Sequence, residues 1–279
     1  MKRLLAALLL LALAVPVLGY RNATADPVTR RANVAFQSWP AGAPPIRVAL
    51  LTDLHIQGPD LSPKRMARIA AQVNAQRPDL ILIAGDFSGD RALRTRLYSE
   101  EEIAASLKTL KAPLGVYAVL GNHDHWRDGP AMKRAVTAAG IPVLANQAVR
   151  AGPLTVAGAD DIHTGNADIE ALTRSAAALP GPTVVLSHSP DIAPVLPPRF
   201  GLVLAGHTHC GQIVLPVVGR LATASRYGER YACGMVRETL HTTIVSAGIG
   251  NSVLPFRFGA PPDFWMVTMG PLAPVTSSR

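Results

Sequence analysis

Five short apolar runs in this chain of 279 residues end in side chains that bind metals or move protons. Ile46 to Thr52 leads into Asp53 and His55, and Leu80 to Ala84 into Gly85-Asp86. Gly115 to Leu120 leads into Gly121-Asn122-His123-Asp124, Thr183 to Ser187 into His188, and Leu202 to Ala205 into Gly206-His207-Thr208-His209. A single Asp at a strand end is ordinarily a helix cap, and a single His ordinarily a solvated loop residue. Seven ligand types at five strand ends are a site: Asp53, His55, Asp86, Asn122, His188, His207 and His209. Five of the eight histidines fall in these motifs. Zinc takes four ligands, so seven suit two ions that share a carboxylate. All the donors are nitrogen or oxygen, which fits manganese, iron, zinc or nickel. Two divalent ions against two carboxylates leave the site cationic, so an anionic phosphoester is the fitting substrate. A metal pair about 3.5–4 Å apart activates water and stabilises in-line displacement at phosphorus. Beside them His123 offers an imidazole and Asp124 a carboxylate able to orient it.

The elements that must position these groups follow from the pattern. Short apolar runs alternating with helical stretches read as buried, largely parallel strands, whose ligand sites lie beyond their carboxyl ends. Side chains two apart on an extended chain point the same way, so Asp53/His55 and His207/His209 are expected as extended pairs. Ser62-Pro63 marks one helix start and Ser99 with Glu102 another. Ala32 to Pro40 reads as an edge strand, a short strand is expected at Pro142 to Ala145, and a loop holds Asp160, Asp161 and His163. Beyond His209, short strands near 212–215, 233–238, 242–245 and 264–269 predict a second, more antiparallel sheet.

The chain is 48% hydrophobic, enough for one large domain with a full core. Its +8 charge is dispersed, and no basic run with interleaved aromatics points to nucleic acid. Lys2-Arg3 before the apolar run Leu4 to Leu18 reads as an export signal or a signal anchor, with Ala23-Thr24-Ala25 as a candidate cleavage site. Either way the domain faces the periplasm or the outside, at the cell envelope. The expected organisation is 1–25 signal or anchor, 26–45 edge strand and linker, 46–272 catalytic domain and 273–279 tail. Cys210 and Cys233 are expected as two small packed side chains rather than a bridge. His241 reads as surface and His125 as a pocket residue. Arg91, Arg94, Arg226 and Arg230 read as solvated, with a second phosphate as the alternative role.

Asp53-x-His55, Gly85-Asp86, Gly121-Asn122-His123-Asp124, His188 and Gly206-His207-x-His209 together resemble the five blocks of the calcineurin-like metallophosphoesterases. The resemblance covers roughly Ile46 to Gly270. The Gly206 to Ile213 string, the Ser246 to Ser252 segment and the apolar N-terminus are similar to the bacterial membrane-associated or exported branch. The resemblance implies an α/β fold, a four-layer α/β/β/α sandwich of two mixed sheets flanked by helices, with two divalent metals. It implies that Asp53, His55, Asp86 and His209 hold one ion, and that Asp86, Asn122, His188 and His207 hold the other. It implies His123 as transition-state stabiliser or acid. The family's acid three positions after Asp86 is replaced here by Gly89, and Asp90 follows it.

The function expected is hydrolysis of a phosphodiester, in one form phospholipid-like, at the envelope. A UDP-2,3-diacylglucosamine pyrophosphatase of lipid A synthesis is an alternative that the outward orientation disfavours. A non-catalytic scaffold is another, disfavoured by the intact ligand set. Specificity is expected in the loops Ser88–Tyr98, Trp126–Pro130 and Ser225–Tyr231.

Overall fold

Two sheets face each other across an apolar layer, and helices cover both outer faces. The computed structural model describes residues 1–91 and 93–272, without the side chains of 4 and 6–11. The expected tail, 273–279, lies outside the described residues. The strands in chain order are β1 (Val28–Phe36), β2 (Ile46–Leu51), β3 (Leu80–Ala84), β4 (Val116–Val119), β5 (Gln147–Ala151), β6 (Leu154–Gly158), β7 (Thr183–Leu186), β8 (Leu202–Ala205), β9 (Val214–Leu215), β10 (Gly219–Arg220), β11 (Gly234–Arg237), β12 (Thr242–Val245) and β13 (Asp263–Pro271). The helices are α1 (Lys2–Ala23), α2 (Pro63–Ala75), α3 (Glu100–Leu107), α4 (Asn122–Ala138) and α5 (Ile169–Ala177).

The first sheet has the order β1-β13-β2-β3-β4 and the second β11-β12-β8-β7-β6-β5. Between them pack Val48, Leu50 and Leu82 from one side and Val156, Leu186 and Leu204 from the other. The opposite face of the first sheet buries Leu51, Ile81 and Ile83 against Met66 and Val73 of α2 and Ile103 of α3. The second sheet's outer face buries Val185 and Val203 against Leu172 and Ala176 of α5. This is the α/β/β/α sandwich. β2, β3 and β8 have at most one side chain that is not buried, which is why they read as continuous apolar runs rather than alternating ones.

Several expectations need correction. The second sheet starts at β5, and its centre, β12-β8-β7-β6, is parallel; only the β11 and β5 edges are antiparallel. The segment 264–269 is not in it: β13 returns to the first sheet, antiparallel to β2 and parallel to β1. Pairing along a sheet is non-local, so single-strand patterns could not assign it. The expected strand at 142–145 is only a bridge from Val143 to Ala118. α2 and α3 start as read, with Ser62 accepting from the Arg65 amide and Ser99/Glu102 closing a capping box. Among the described residues, no helix is long and apolar enough to cross a membrane. The end of α1 is docked on the domain: the Gly19 carbonyl accepts from the Arg257 amide, Tyr20 Oη donates to the Pro59 carbonyl, and Ala23 is buried.

Candidate metal centre

The ends of β2, β3 and β4 from the first sheet and β7 and β8 from the second meet at one edge of the sandwich. Pairing continues past the strands: the Asp53 amide donates to the Gly85 carbonyl, His55 to Asp86, and Gly206 to the His188 carbonyl. The chain then turns sharply. Asp53, His55, Asp86, His207 and His209 all have left-handed backbones, with φ of 50°, 41°, 53°, 71° and 51°. The Asp53/His55 and His207/His209 pairs are therefore not extended, as expected from the sequence; each converges through a turn. Such conformations cost of order 1–3 kcal/mol apiece and cluster at functional sites. Glycine admits the close approach: a Cβ on Gly206 would stand 2.1 Å from Asp53 Oδ2, and one on Gly121 2.2 Å from Asp86 Oδ1.

All seven candidate ligands gather there, six of them buried and His207 nearly so. Three groups place ligand atoms within 4.8 Å of one another: Asp53, His55 and His209; Asp53, Asp86 and His188; and His55, Asp86 and His123. Asp86 is common to two. Its Oδ1 accepts from the His123 amide at 3.0 Å. Its Oδ2 lies 3.4 Å from His55 Nε2 and 3.2 Å from His188 Nε2.

The rings are oriented from behind. His188 Nδ1 is 2.8 Å from the Ala84 carbonyl, and His55 Nδ1 is 3.2 Å from the Ser88 carbonyl. Donation to those carbonyls leaves each Nε2 facing inward as a donor atom for a cation. His55 Nε2 faces His209 Nε2 at 3.1 Å, and His188 Nε2 faces His207 Nδ1 at 3.1 Å and Asn122 Oδ1 at 3.0 Å. Lone pairs that converge on one another in this way are satisfied by a cation between them.

The electrostatics agree. Burial holds His55 and His207 down at about 3, and burial with His55 nearby holds His209 well below its ordinary value. All three are neutral donors at pH 7. Burial pushes Asp53 up to about 6. Burial would also raise Asp86 and lower His188, but their mutual attraction wins: Asp86 sits well below the carboxylate range and His188 well above the imidazole range. A proton on His188 thus occupies the ground between an anion and two further acceptors.

The carboxylate partner of His123 differs from the expectation. His123 Nδ1 bonds Asp90 Oδ1 at 2.6 Å. Asp124 does not touch that ring; it caps α4, accepting from the Gly121 amide at 3.0 Å and from the Ser88 amide at 3.0 Å. The extra residue after Gly89 delivers the carboxylate one position later than the pattern leads one to look. Other roles also change. Cys210 and Cys233 form a disulfide. His241 is buried, its Nδ1 2.7 Å from the Phe200 carbonyl. Arg91 is buried against Asp60. Asp160, at the end of β6, holds His125 Nε2 at 2.8 Å and raises that imidazole. His163 has its ring 5.1 Å from that of His207.

Arg257 gave no signal in the sequence, because a lone loop arginine looks solvated. It is fully buried, donating to the Ala247 carbonyl at 2.8 Å and the Ala260 carbonyl at 3.0 Å, with its guanidinium 3.3 Å from His209 Nδ1. Also unforeseen is a cleft of about 250 Å³ that opens from His207 and His209 and is lined by Ile213, Leu221, Val253 and Leu254.

Comparison with known proteins agrees with this architecture. The calcineurin-like phosphoesterase family profile matches residues 46–211. The chain is 30% identical over 238 residues to the uncharacterized metallophosphoesterase YkuE of Bacillus subtilis, covering 82% of this chain and 81% of that one. It is 28% identical over 272 residues to the transmembrane protein with metallophosphoesterase domain of Danio rerio, covering 90% of this chain but only 59% of that one.

Proposed function

Because the chain belongs to the calcineurin-like phosphoesterase family, we propose that it hydrolyses an anionic phosphodiester at the cell envelope with two divalent ions. Hydrolysis of phosphoric esters is the activity of the family and of this enzyme. The observation that carries the two-ion reading is the placement of Asp86 Oδ2 within 3.4 Å of His55 Nε2 and 3.2 Å of His188 Nε2. One carboxylate oxygen thereby faces two sets of donors. Asp53, His55 and His209 complete one set; Asn122, His188 and His207 complete the other.

Once His188 gives up its proton, the donors fit such ions: imidazoles, carboxylates and one amide oxygen, as manganese, iron, zinc or nickel accept. When bound, the pair supplies Lewis acidity toward water and the phosphoryl oxygens. The chain's own residues do the rest. Asp90 holds the Nδ1 side of His123, which leaves Nε2 to carry a proton to the leaving oxygen. The Asp86 carboxylate fixes the His123 backbone, so the acid and the ion ligands move as one unit.

Three features support the envelope. The N-terminus pairs Lys2-Arg3 with an apolar run. The Cys210–Cys233 bridge suits an oxidising compartment. A relative carries a transmembrane name. The test is turnover of bis(4-nitrophenyl) phosphate by the purified full chain, metal-stripped and then resupplied with manganese, iron, zinc or nickel. Metal-dependent turnover that Asp86→Ala abolishes supports the reading. Absence of turnover with every metal contradicts it.

A further inference from the structure

We infer that the phosphoester substrate carries an aliphatic chain, which lies in the apolar cleft opening from His207 and His209. The inference rests on the phosphoester-hydrolase reading and names the substrate class of that site.

The first argument is position. The cleft shares His207 and His209 with the metal cluster, so a group bonded to the reacting phosphorus enters it directly. The second is chemistry. No charged acid, lysine or arginine lines the cleft; its walls are Ile213, Leu221, Ala222, Val253 and Leu254. Two of the polar side chains among them, Gln212 and Thr208, are already engaged, and Ser252 also lines the cleft. Gln212 Nε2 donates to the Leu254 and Phe256 carbonyls at 2.8 and 3.1 Å, and its Oε1 accepts from the Ser252 amide at 2.9 Å. Thr208 Oγ1 donates to the Ala232 carbonyl at 2.8 Å. A sugar or a nucleobase is read by several convergent polar groups; with Gln212 and Thr208 committed inward, the Ser252 hydroxyl stands alone beside the two histidines. An aliphatic chain asks for none.

The third argument is the rim. The turn between β9 and β10 presents Val217 and Val218 to solvent, and Val253 across the cleft is 76% exposed. Val217 has φ 68°, a left-handed conformation that β-branched residues rarely adopt, and it points away from the protein. Exposed apolar side chains thus stand on the cleft wall, at Leu221 and Val253, and on the turn whose two ends lead to the lining residues Ile213 and Leu221. The rim is also continuous with α1. The Val214 amide donates to the Phe258 carbonyl at 2.8 Å, and a Cβ on Gly19 would stand 2.6 Å from the Phe258 ring. Val17 and Leu18 on α1 are exposed beyond that contact. The cleft mouth and the apolar N-terminal helix are thus joined through one loop, as suits a substrate drawn from a lipid surface.

The experiment uses the full chain and 4-nitrophenyl methyl, butyl and octyl phosphodiesters, all below their critical micelle concentrations. We expect kcat/KM to rise about tenfold or more from methyl to octyl, since each buried methylene contributes severalfold. Leu221→Asp and Val253→Asp should bring the octyl-to-methyl ratio to about one. Calorimetry supplies a readout besides turnover: octyl phosphate should bind about tenfold more tightly than methyl phosphate, and Leu221→Asp should erase the difference. Equal kcat/KM and equal affinity across the series would overturn the chain site while leaving the hydrolase reading intact. No turnover of any member would overturn the hydrolase reading, and the calorimetric difference then decides the chain site by itself. A flat series together with a dimer that Leu221→Asp dissolves would overturn it in favour of a second copy of this chain.

Discussion

The metal cluster and the apolar cleft share His207 and His209 but are built by opposite means. The cluster is closed, polar and over-determined. Every imidazole in it is fixed by a carbonyl, a carboxylate or another ring, and five of its residues are held in left-handed turns. The cleft is open and apolar, and Leu221 and Val253 in its lining are exposed. The difference teaches where generality and specificity reside. Strain and hydrogen bonds at strand ends set a reaction that tolerates little change. Loops after the last of those ends set what is bonded to the phosphorus, and can vary without disturbing the ligands.

The largest effect should come from the residue on which the cluster converges. Asp86→Ala removes the oxygen facing both His55 and His188, so metal loading by atomic absorption should fall below one ion per chain and turnover should reach background. Wild-type-like loading in that variant would break the claim that the cluster is over-determined around one carboxylate.

Next come His123 and Asp90, the proposed proton-transfer groups. His123→Ala should lower kcat by about 10²–10⁴-fold with metal content unchanged. Asp90→Asn should lower it by about 10–100-fold with Tm unchanged, as loss of an orienting carboxylate does. Asp124→Asn should instead lower Tm. The asparagine keeps one acceptor oxygen, so one of the two buried amides, Ser88 or Gly121, is left facing an NH2 group, a loss of about 1–3 kcal/mol. The reverse pattern would restore Asp124 as the orienting group.

A smaller effect sharpens the electrostatic half of the comparison. His188 is raised well above its ordinary value by Asp86, so it is protonated at pH 7 in the metal-free protein and must release that proton to become a ligand. Asp53, raised to about 6, is mostly ionised at pH 7.5 and protonated below pH 6. His55 and His207, held down at about 3, release nothing in this range. Metal binding should therefore release more protons at pH 5.5 than at pH 7.5, and affinity should fall as pH falls. Calorimetry in buffers of different ionisation enthalpy counts them; release independent of pH would contradict the assignment.

The same contrast explains what the sequence could and could not say. Asp53, Asp86, Asn122, His188 and His207 stood out because each follows a short buried strand, and a buried strand leaves an unbroken apolar run. The four layers came from the family resemblance rather than from the runs themselves. Asp90 was visible as a carboxylate but not as the partner of His123, since the contact closes between two loops. The return of β13 beside β2, the burial of Arg257 and the Cys210–Cys233 bridge are long-range pairings with no local signature. The cleft was hidden more thoroughly. Pro216-Val217-Val218-Gly219 reads as an ordinary turn, and only its exposure beside Val253 gives it meaning.

The central claim is that two ions share Asp86. The most direct measurement is an anomalous difference map from crystals of the manganese-loaded protein. The account predicts two peaks about 3.5–4 Å apart, one against Asp53, His55 and His209, the other against Asn122, His188 and His207, with Asp86 touching both. A single peak, or two that do not share Asp86, would contradict it.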